Sequence, residues 1–313
     1  MTGPPDTAAV EAAVEAALRS CGVAASRCSR VVVVDDKPGR RAVLRAELTA
    51  PVVLPGRSGP APAAVYVKWS ADVDRGARNH ATLAALERAL GGIAAGPQLP
   101  AAIAHLPVPS LQVLGEVAGT TVAQSGPVLD GAVAERLGRA LAAFHHCGAA
   151  LPVAYHLADE ARTLREWTAE LVDAGCPDRL VDRYRTLTEA AVAATAAVPL
   201  RTDGIVHRDL HEEHCLLTSS GRASDGPGVG LIDLDEARRG DPVVDLGHLA
   251  VHLHLRAGAT GARLHDGPAG PVLASWDRAA PEPASPGAVL AFGALACVKI
   301  ARQRASGYGT APR

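Results

Sequence analysis

The stretch GIVHRDLHEEHCLL, residues 204–217, decides how this chain folds, together with GLIDLDEA at residues 230–237 and GDPVVD at residues 240–245. In the first block an apolar pair runs into a His-Arg-Asp triplet, and in the second an apolar run ends in Asp. This pattern predicts that Asp209 lies in a loop between short strands and that Asp233 ends the next strand. Kinase-type phosphoryl transfer needs such a pair: one carboxylate accepts a hydroxyl proton and the other holds the metal that bridges the ATP phosphates.

The three blocks together resemble the aminoglycoside phosphotransferase group of the protein-kinase-like superfamily, which also includes choline-kinase and maltokinase relatives. The pattern of that group is His-x-Asp, a residue five positions after the Asp that is usually Asn, then Ile-Asp and a Gly-Asp-Pro-x-x-Asp tail. The residues of this chain that match it are His207, Asp209, Asp233, Asp241, Pro242 and Asp245. The position usually occupied by Asn is His214, which departs from the group.

The resemblance implies an α+β fold of the bilobal, protein-kinase-like kind. Residues 1–117 would form a small antiparallel β N-lobe that binds the nucleotide, and residues 118–313 a mainly helical C-lobe with the catalytic loop and the acceptor site. The implied activity is transfer of the γ-phosphoryl group of ATP to a hydroxyl. The acceptor is either a small molecule, such as an antibiotic or a sugar, or a Ser or Thr of a peptide natural product, and the sequence does not choose between them.

The resemblance also implies roles for individual residues. Asp209 would accept the proton of the acceptor hydroxyl, and His207 would hold the catalytic loop through hydrogen bonds to backbone. Asp233 would ligate Mg²⁺. His214 would either ligate the metal itself, which favours Mn²⁺ because imidazole suits softer ions, or withdraw so that oxygen ligands hold Mg²⁺. Asp235, two residues after Asp233, would support the site or cap a turn.

A run of β-branched and aromatic residues at 64–69 predicts a strand from which Lys68 projects. By the resemblance Lys68 contacts the ATP phosphates, while the alternative is a surface lysine at a strand end. The helix predicted over residues 74–90 should carry a Glu that pairs with this lysine. The expected place falls at Asn79 or His80, and neither is acidic. Either other groups position Lys68 or the helix is aligned differently.

Residues 111–119 resemble the last N-lobe strand and the hinge, where the backbone of Glu116 and Val117 would bond to adenine. An edge strand that ends in a turn would have the same sequence, so the pattern leaves that alternative open.

In the C-lobe, the dipeptide at residues 241–242 is expected to open a helix through Leu255, with Asp at the N-cap and Pro in the first turn. Asp245 is expected to fix the architecture of the catalytic loop. Residues 257–287 are rich in Gly and Pro and are expected to be irregular, and residues 218–228 are expected to form a hairpin loop.

Composition excludes several classes of protein. The chain has 313 residues and a net charge of −2, so nothing indicates electrostatic capture of nucleic acid or of anionic lipid. No apolar run is long enough to span a membrane, and the first residues lack the basic and apolar regions expected of a signal peptide. The six cysteines are scattered and are expected to be reduced thiols. These features predict a soluble, cytoplasmic protein that works without nucleic acid or membrane partners, and they leave its oligomeric state open.

Two alternative functions are also consistent with the sequence. The cluster His207, Asp209, His211 and His214, with His248 and His252 spaced as a helical pair, is typical of zinc sites, which predicts a metallohydrolase. Loss of the helix Glu and of the Asn instead favours a non-catalytic nucleotide-binding protein or scaffold. Retention of both key aspartates favours the kinase.

Overall fold

The computed structural model describes residues 6–23, 27–37, 39–55, 61–108, 110–219, 228–259 and 263–306. They form two compact units. The first comprises Met1–Thr121 and His214–Glu236, and the second Val122–Glu213 and Ala237–Arg313. The division predicted from sequence places two consecutive lobes either side of residue 117. The structure instead groups the residues that follow the catalytic loop with the N-terminal unit, because their strands pair with strands of that unit.

The first unit is built on a five-stranded antiparallel sheet of spatial order β1-β2-β3-β5-β4. The strands are β1 (Cys28–Lys37), β2 (Arg41–Leu48), β3 (Ala64–Ser70), β4 (Ala102–Pro107) and β5 (Ser110–Gly115). Burial alternates along β2, where every second side chain points into the core, as expected for a sheet with one covered face. The predicted antiparallel N-lobe is therefore confirmed.

Two helices accompany this sheet, α1 (Thr7–Ser20) and α2 (Val73–Leu90). Helix α1 places Val10, Val14 and Leu18 on one face, and all three join the buried core of the sheet. Helix α2 packs against β4, β5 and the short 3-10 helix Leu234–Glu236.

A second, smaller sheet of the first unit holds the strands after the catalytic loop. Its strands are β6 (Thr120–Thr121), β8 (Cys215–Thr218) and β9 (Gly228–Leu231), in the order β6-β8-β9. Gln98 joins β9 to the rest of the unit through its backbone. Its N–H donates to the carbonyl of Val229 at 2.8 Å, and its C=O accepts from the N–H of Leu231 at 2.9 Å. Gly230 of β9 allows Val117 to pack closely against the strand, since a Cβ at residue 230 would lie 2.7 Å from a methyl group of Val117.

The second unit is mainly helical, which confirms the predicted C-lobe. Its elements are α3 (Gly131–His145), α4 (Leu157–Asp173), α5 (Asp178–Ala196), α6 (Val243–Arg256), α7 (Gly270–Ala279), α8 (Pro286–Ser306) and the strand pair β7 (Ile205–Val206) with β10 (Arg238–Arg239). Helix α7 packs on α3, and α8 packs on α4, α5 and α6.

Two local predictions differ from the structure. Residues 257–287 were expected to be irregular, but they contain α7, which has Pro in its first turn and buries Val272 and Trp276. The Gly and Pro that suggest a loop here begin a helix. Helix α6 starts one residue later than expected, because Pro242 is its N-cap and Asp241 bonds from outside, accepting from the Val243 amide at 3.1 Å.

Most of the hairpin loop expected at residues 218–228 lies outside the described residues. Among the helices that the structure describes, none combines the length and the hydropathy of a membrane span.

Candidate active site

A cavity of about 1000 Å³ lies in the first unit, a size within the range of cofactor and small-molecule sites. Five of the residues predicted to form the site line it: Lys68, Glu116, Val117, His214 and Asp233. The remaining two, His207 and Asp209, belong to the second unit.

Lys68 is one of the positively charged residues that line this cavity. Its Nζ lies 2.6 Å from Oδ1 of Asp233 and 2.9 Å from Oδ1 of Asp235, and its side chain is 19% exposed. Burial alone would lower the pKa of Lys68, but the carboxylates of Asp235 and Asp233 outweigh this effect and raise the pKa above its ordinary value. Lys68 is thus a charged, half-buried ammonium and not a lysine at a free strand end.

Helix α2 contacts the segment after β9, but the acids paired with Lys68 are not its own. With the side-chain amide oriented so that Nδ2 faces hydrogen-bond acceptors, Asn79 donates from Nδ2 to the backbone carbonyl of Asp235 at 3.2 Å. Arg75, one turn earlier, donates to the carboxylate of Glu236 at 2.8 Å. Both acids that contact Lys68 therefore come from the segment after β9, and neither comes from the helix.

Asp233 sits in a tight bend between β9 and the 3-10 helix. Its φ is +59°, a left-handed conformation that only a few residue types such as Asp and Asn adopt readily. The Ile232 amide before it donates to the backbone carbonyl of His214 at 3.1 Å. The side chains of the same two regions also approach each other, since Nε2 of His214 lies 3.8 Å from Oδ2 of Asp233. His214 therefore faces the carboxylate predicted to hold metal.

The residues predicted as the hinge follow β5. The Glu116 amide donates to the Ala64 carbonyl at 3.1 Å, and the Glu116 carboxylate accepts from Nε of Arg45 at 2.8 Å. Val117 is buried. Because the side chain of Glu116 is paired with Arg45, the group it can present to a ligand in the cavity is its backbone carbonyl.

The loop predicted to be catalytic, which carries His207, Arg208 and Asp209, is held by Asp245 of α6. Its carboxylate accepts from the backbone amides of His207 at 2.6 Å and Arg208 at 2.8 Å. Arg208 has a φ of +70°, so these bonds hold a strained backbone conformation immediately before Asp209. The expectation that Asp245 fixes the loop architecture is confirmed. Asp209 itself is half-buried, whereas the side chain of His207 is fully buried.

Asp245 is in turn held by a buried hydrogen-bond chain. Trp276 Nε1 of α7 donates to Nδ1 of His145 at 2.9 Å, which makes Nδ1 the acceptor of that ring. Nε2 therefore carries the proton and donates to Oδ2 of Asp245 at 3.1 Å. Burial alone would raise the pKa of Asp245, but the bond from His145 outweighs it and the pKa lies below its ordinary value.

Arg208 points to a second buried ionic cluster. Its guanidinium donates to Glu160 of α4 at 2.8 Å and lies over the ring of Tyr155. Lys299 of α8 lies 3.1 Å from the other carboxylate oxygen of Glu160. Burial alone would raise the pKa of Glu160, but the charges of Lys299 and Arg208 hold it below its ordinary value.

Sequence reasoning missed Glu160, His145 and Trp276. Each lies on a helix outside the three sequence blocks, so only the tertiary contacts reveal it.

The second unit also contains part of the histidine cluster. Ligand atoms of His211, Glu212 and His252 lie within 4.8 Å of one another, and Nδ1 of His252 is 3.2 Å from Oε2 of Glu212. A divalent ion could be held at such a spacing. His207, counted in the cluster predicted from sequence, is buried near the ring of Phe144, with ring centroids 6.5 Å apart.

Three solved structures with the same fold illustrate its range. The GDP complex of wild-type aminoglycoside 2′-phosphotransferase-IIIa has a TM-score of 0.57 and 14% identity, over 96% of this chain and 91% of that one. Choline kinase LicA from Streptococcus pneumoniae has a TM-score of 0.58 and 14% identity, over 97% and 93%. Macrolide 2′-phosphotransferase MphH from Brachybacterium faecium has a TM-score of 0.56 and 16% identity, over 97% and 98%.

No curated protein matches the sequence. A family model, however, matches residues 23–283, which is most of the chain, and it describes the phosphotransferase enzyme family. The predicted family, the predicted fold class and the predicted phosphotransferase with an alcohol group as acceptor are thereby confirmed. The chain belongs to the phosphotransferase enzyme family.

Proposed function

We propose that this protein transfers the γ-phosphoryl group of ATP to a hydroxyl of a small molecule, with Mg²⁺ as the metal. The observation that carries the proposal is the 2.6 Å contact between Lys68 and Asp233 in the wall of the cavity. Phosphoryl transfer needs a cation at the phosphates and a carboxylate at the metal, close to each other. These two residues provide both.

The donor atoms of the cavity residues near Lys68 fit a divalent metal ion. Asp233 offers carboxylate oxygens, which Mg²⁺ prefers, and the triphosphate of the substrate would add others. When bound, the ion supplies neutralisation of the charge that develops on the phosphates. His214, 3.8 Å from Asp233, adds a nitrogen that suits Mn²⁺ better, so Mn²⁺ is the second candidate metal.

Each remaining site residue has a proposed task. Asp209 orients the acceptor hydroxyl and takes its proton, and His207 holds the loop that carries Asp209. The backbone at Glu116 and Val117 bonds to the adenine. Support for the catalytic loop comes from the two backbone amides bonded to Asp245. All six cysteines are free thiols, which fits a reaction in the reducing cytoplasm where ATP is abundant.

For the acceptor, the family and the structural neighbours favour a small alcohol. The neighbours are named for aminoglycosides, macrolides and choline, which differ widely in shape and charge. A Ser or Thr of a peptide natural product stays a prediction that the same assay can test.

The test is a phosphorylation screen with purified protein. ATP or GTP is supplied with Mg²⁺ or Mn²⁺, and the acceptors are an aminoglycoside, a macrolide, choline, simple sugars and Ser/Thr peptides. Nucleoside diphosphate release is measured together with the mass gain of the acceptor. We expect acceptor-dependent release and a product carrying one added phosphoryl group. Failure of every acceptor, in a protein that also does not bind nucleotide, would contradict the proposal.

The two alternatives are less well supported. Lys68 keeps acidic partners although α2 lacks the Glu, so the absence of that Glu is weak evidence for a non-catalytic protein. A zinc hydrolase is disfavoured because the chain belongs to a phosphotransferase family.

A further inference from the structure

The contacts of Lys68 raise a question that the proposed function leaves open. An ammonium that must meet phosphates needs an acid to fix its direction, and in the family pattern a Glu of the helix is expected to do so. Here Asp233 and Asp235 are the partners, at 2.6 and 2.9 Å. Both lie more than 160 residues after Lys68 in the sequence, 165 and 167 positions away.

The two acids are not equivalent once the nucleotide and the metal are present. In the proposed function Asp233 gives its oxygens to the ion. An oxygen that ligates a divalent cation is a poorer acceptor for a nearby ammonium, because the two positive charges repel each other. Asp235 then remains as the acid available to Lys68.

Asp235 is also the less exposed of the two. It lies in the 3-10 helix Leu234–Glu236, and its side chain is 21% exposed against 36% for Asp233. Helix α2 holds this segment from the outside, because Asn79 donates to the carbonyl of Asp235 and Arg75 donates to Glu236. The position of the Asp235 carboxylate is thus set by α2 through the backbone.

We infer that Asp235 is the positioning residue for Lys68 and replaces the helix Glu in that role. The inference rests on the proposed function. Helix α2 still acts on Lys68, but indirectly. The helix supplies hydrogen-bond donors, Asn79 and Arg75, to the segment after β9, and that segment supplies the acid that pairs with Lys68.

The primary test is Asp235→Asn, which keeps the shape of the side chain and removes its charge. We expect the KM for ATP to rise and kcat to fall, with a combined loss in kcat/KM of roughly ten- to a hundredfold, the value of one charge-assisted hydrogen bond. The Mg²⁺ concentration for half-maximal activity should change by no more than about twofold, since Asp233 still holds the ion. Asp36→Asn, which removes the same charge at an exposed position of β1, is the matched control and should match the wild type.

Two further variants make the outcome decisive. Lys68→Met should cost at least as much as Asp235→Asn, and the double variant should cost no more than Lys68→Met, because the acid has nothing left to position. Asp235→Glu keeps the charge and should recover part of the loss. Additive losses in the double variant would overturn the inference, because the two residues would then act independently. A Mg²⁺ requirement that rises in step with the loss of activity would also overturn it and would make Asp235 a metal ligand.

The failure of the inference can be told apart from the failure of the proposed function. Binding of a fluorescent ATP analogue to the wild type tests the latter. If the wild type binds and turns over ATP while Asp235→Asn behaves like Asp36→Asn, the inference alone is wrong. Thermal unfolding of each variant identifies a loss that comes from misfolding, and Asp235→Glu then serves as the test variant.

Discussion

Asp209 and Asp233 have different proposed tasks, so substitution of each residue should change a different property of the enzyme. Asp209→Asn should lower kcat by roughly 10²–10⁴-fold while ATP affinity stays near that of the wild type, because its task concerns the acceptor. Asp233→Asn should instead lose metal-dependent nucleotide binding. Turnover and nucleotide titration of both variants are the measurements. Asp203→Asn, at a position 78% exposed in the same unit as Asp209, is the control. Turnover by Asp209→Asn at the wild-type rate would refute its role.

His214 occupies the place where the family usually has Asn, and it faces Asp233 at 3.8 Å. If its imidazole ligates the metal, the wild type should prefer Mn²⁺, and His214→Asn should regain activity with Mg²⁺ because an amide oxygen is a harder ligand. If it stays withdrawn, both proteins should use Mg²⁺ equally well. We expect the second result, since Asp233 and the triphosphate already supply oxygens. Activity measured with each metal over a range of concentrations distinguishes the two.

At the scale of elements, helices α3, α6 and α7 meet in the chain from Trp276 through His145 to Asp245. His145→Phe should leave the buried indole N–H of Trp276 without its acceptor, which costs about 1–3 kcal/mol of stability, and it removes one of the two donors to Oδ2 of Asp245. It should also lower kcat more than it raises the KM for ATP, because the catalytic loop loses a support. Thermal unfolding and steady-state kinetics are the readouts. His156→Phe, an exposed histidine of the same unit, is the control.

Helices α4 and α8 are joined to the catalytic loop by Glu160. Its folded-state pKa lies below the ordinary value of 4.5, so its contribution to stability is complete above that value and is lost as the pH falls through the folded-state pKa. Glu160→Gln should therefore cost about 3–5 kcal/mol near neutral pH, typical for breaking a buried pair. The difference from the wild type should shrink below about pH 4.5. A difference in stability that stays constant down to about pH 3 would contradict the assignment of a negative charge to Glu160.

Elements with a clear period were predictable from sequence, and elements that depend on distant neighbours were not. The four-residue spacing of Val10, Val14 and Leu18 and the alternation in β2 need no tertiary information. Helix α7 does, because its Gly and Pro suggest a loop until the packing of Trp276 is known. The same holds for the partner of Lys68, which lies 165 residues away and on a different element from the one expected.

At the scale of the whole molecule, the chain passes between the two units three times, so neither unit is one continuous segment. A chain that ends at Thr121 would lack β8 and β9, and with them both acids that contact Lys68. We expect this fragment to unfold with low cooperativity and not to bind nucleotide. Heat denaturation and titration with a fluorescent ATP analogue are the measurements.

The matched variant joins residue 121 to residue 214 through a short Gly/Ser linker and ends after residue 236. The join spans neighbouring strands, because Thr121 is paired with Leu216 in the small sheet. Recovery of cooperative unfolding in the joined chain, and not in the fragment, is the expected result. Equal behaviour of the two would mean that the small sheet contributes little to the stability of the first unit.

The bonds from the catalytic loop to Asp245 have a consequence for hydrogen exchange. A loop outside regular ladders normally exchanges its amide protons with solvent within seconds, but those of His207 and Arg208 end on a buried carboxylate. They can exchange only when the loop separates from Asp245 of α6, a carboxylate that His145 also holds in place. In deuterated water these two amides should be among the slow protons of the second unit, so the segment proposed to perform the chemistry would retain its protons as a core helix does.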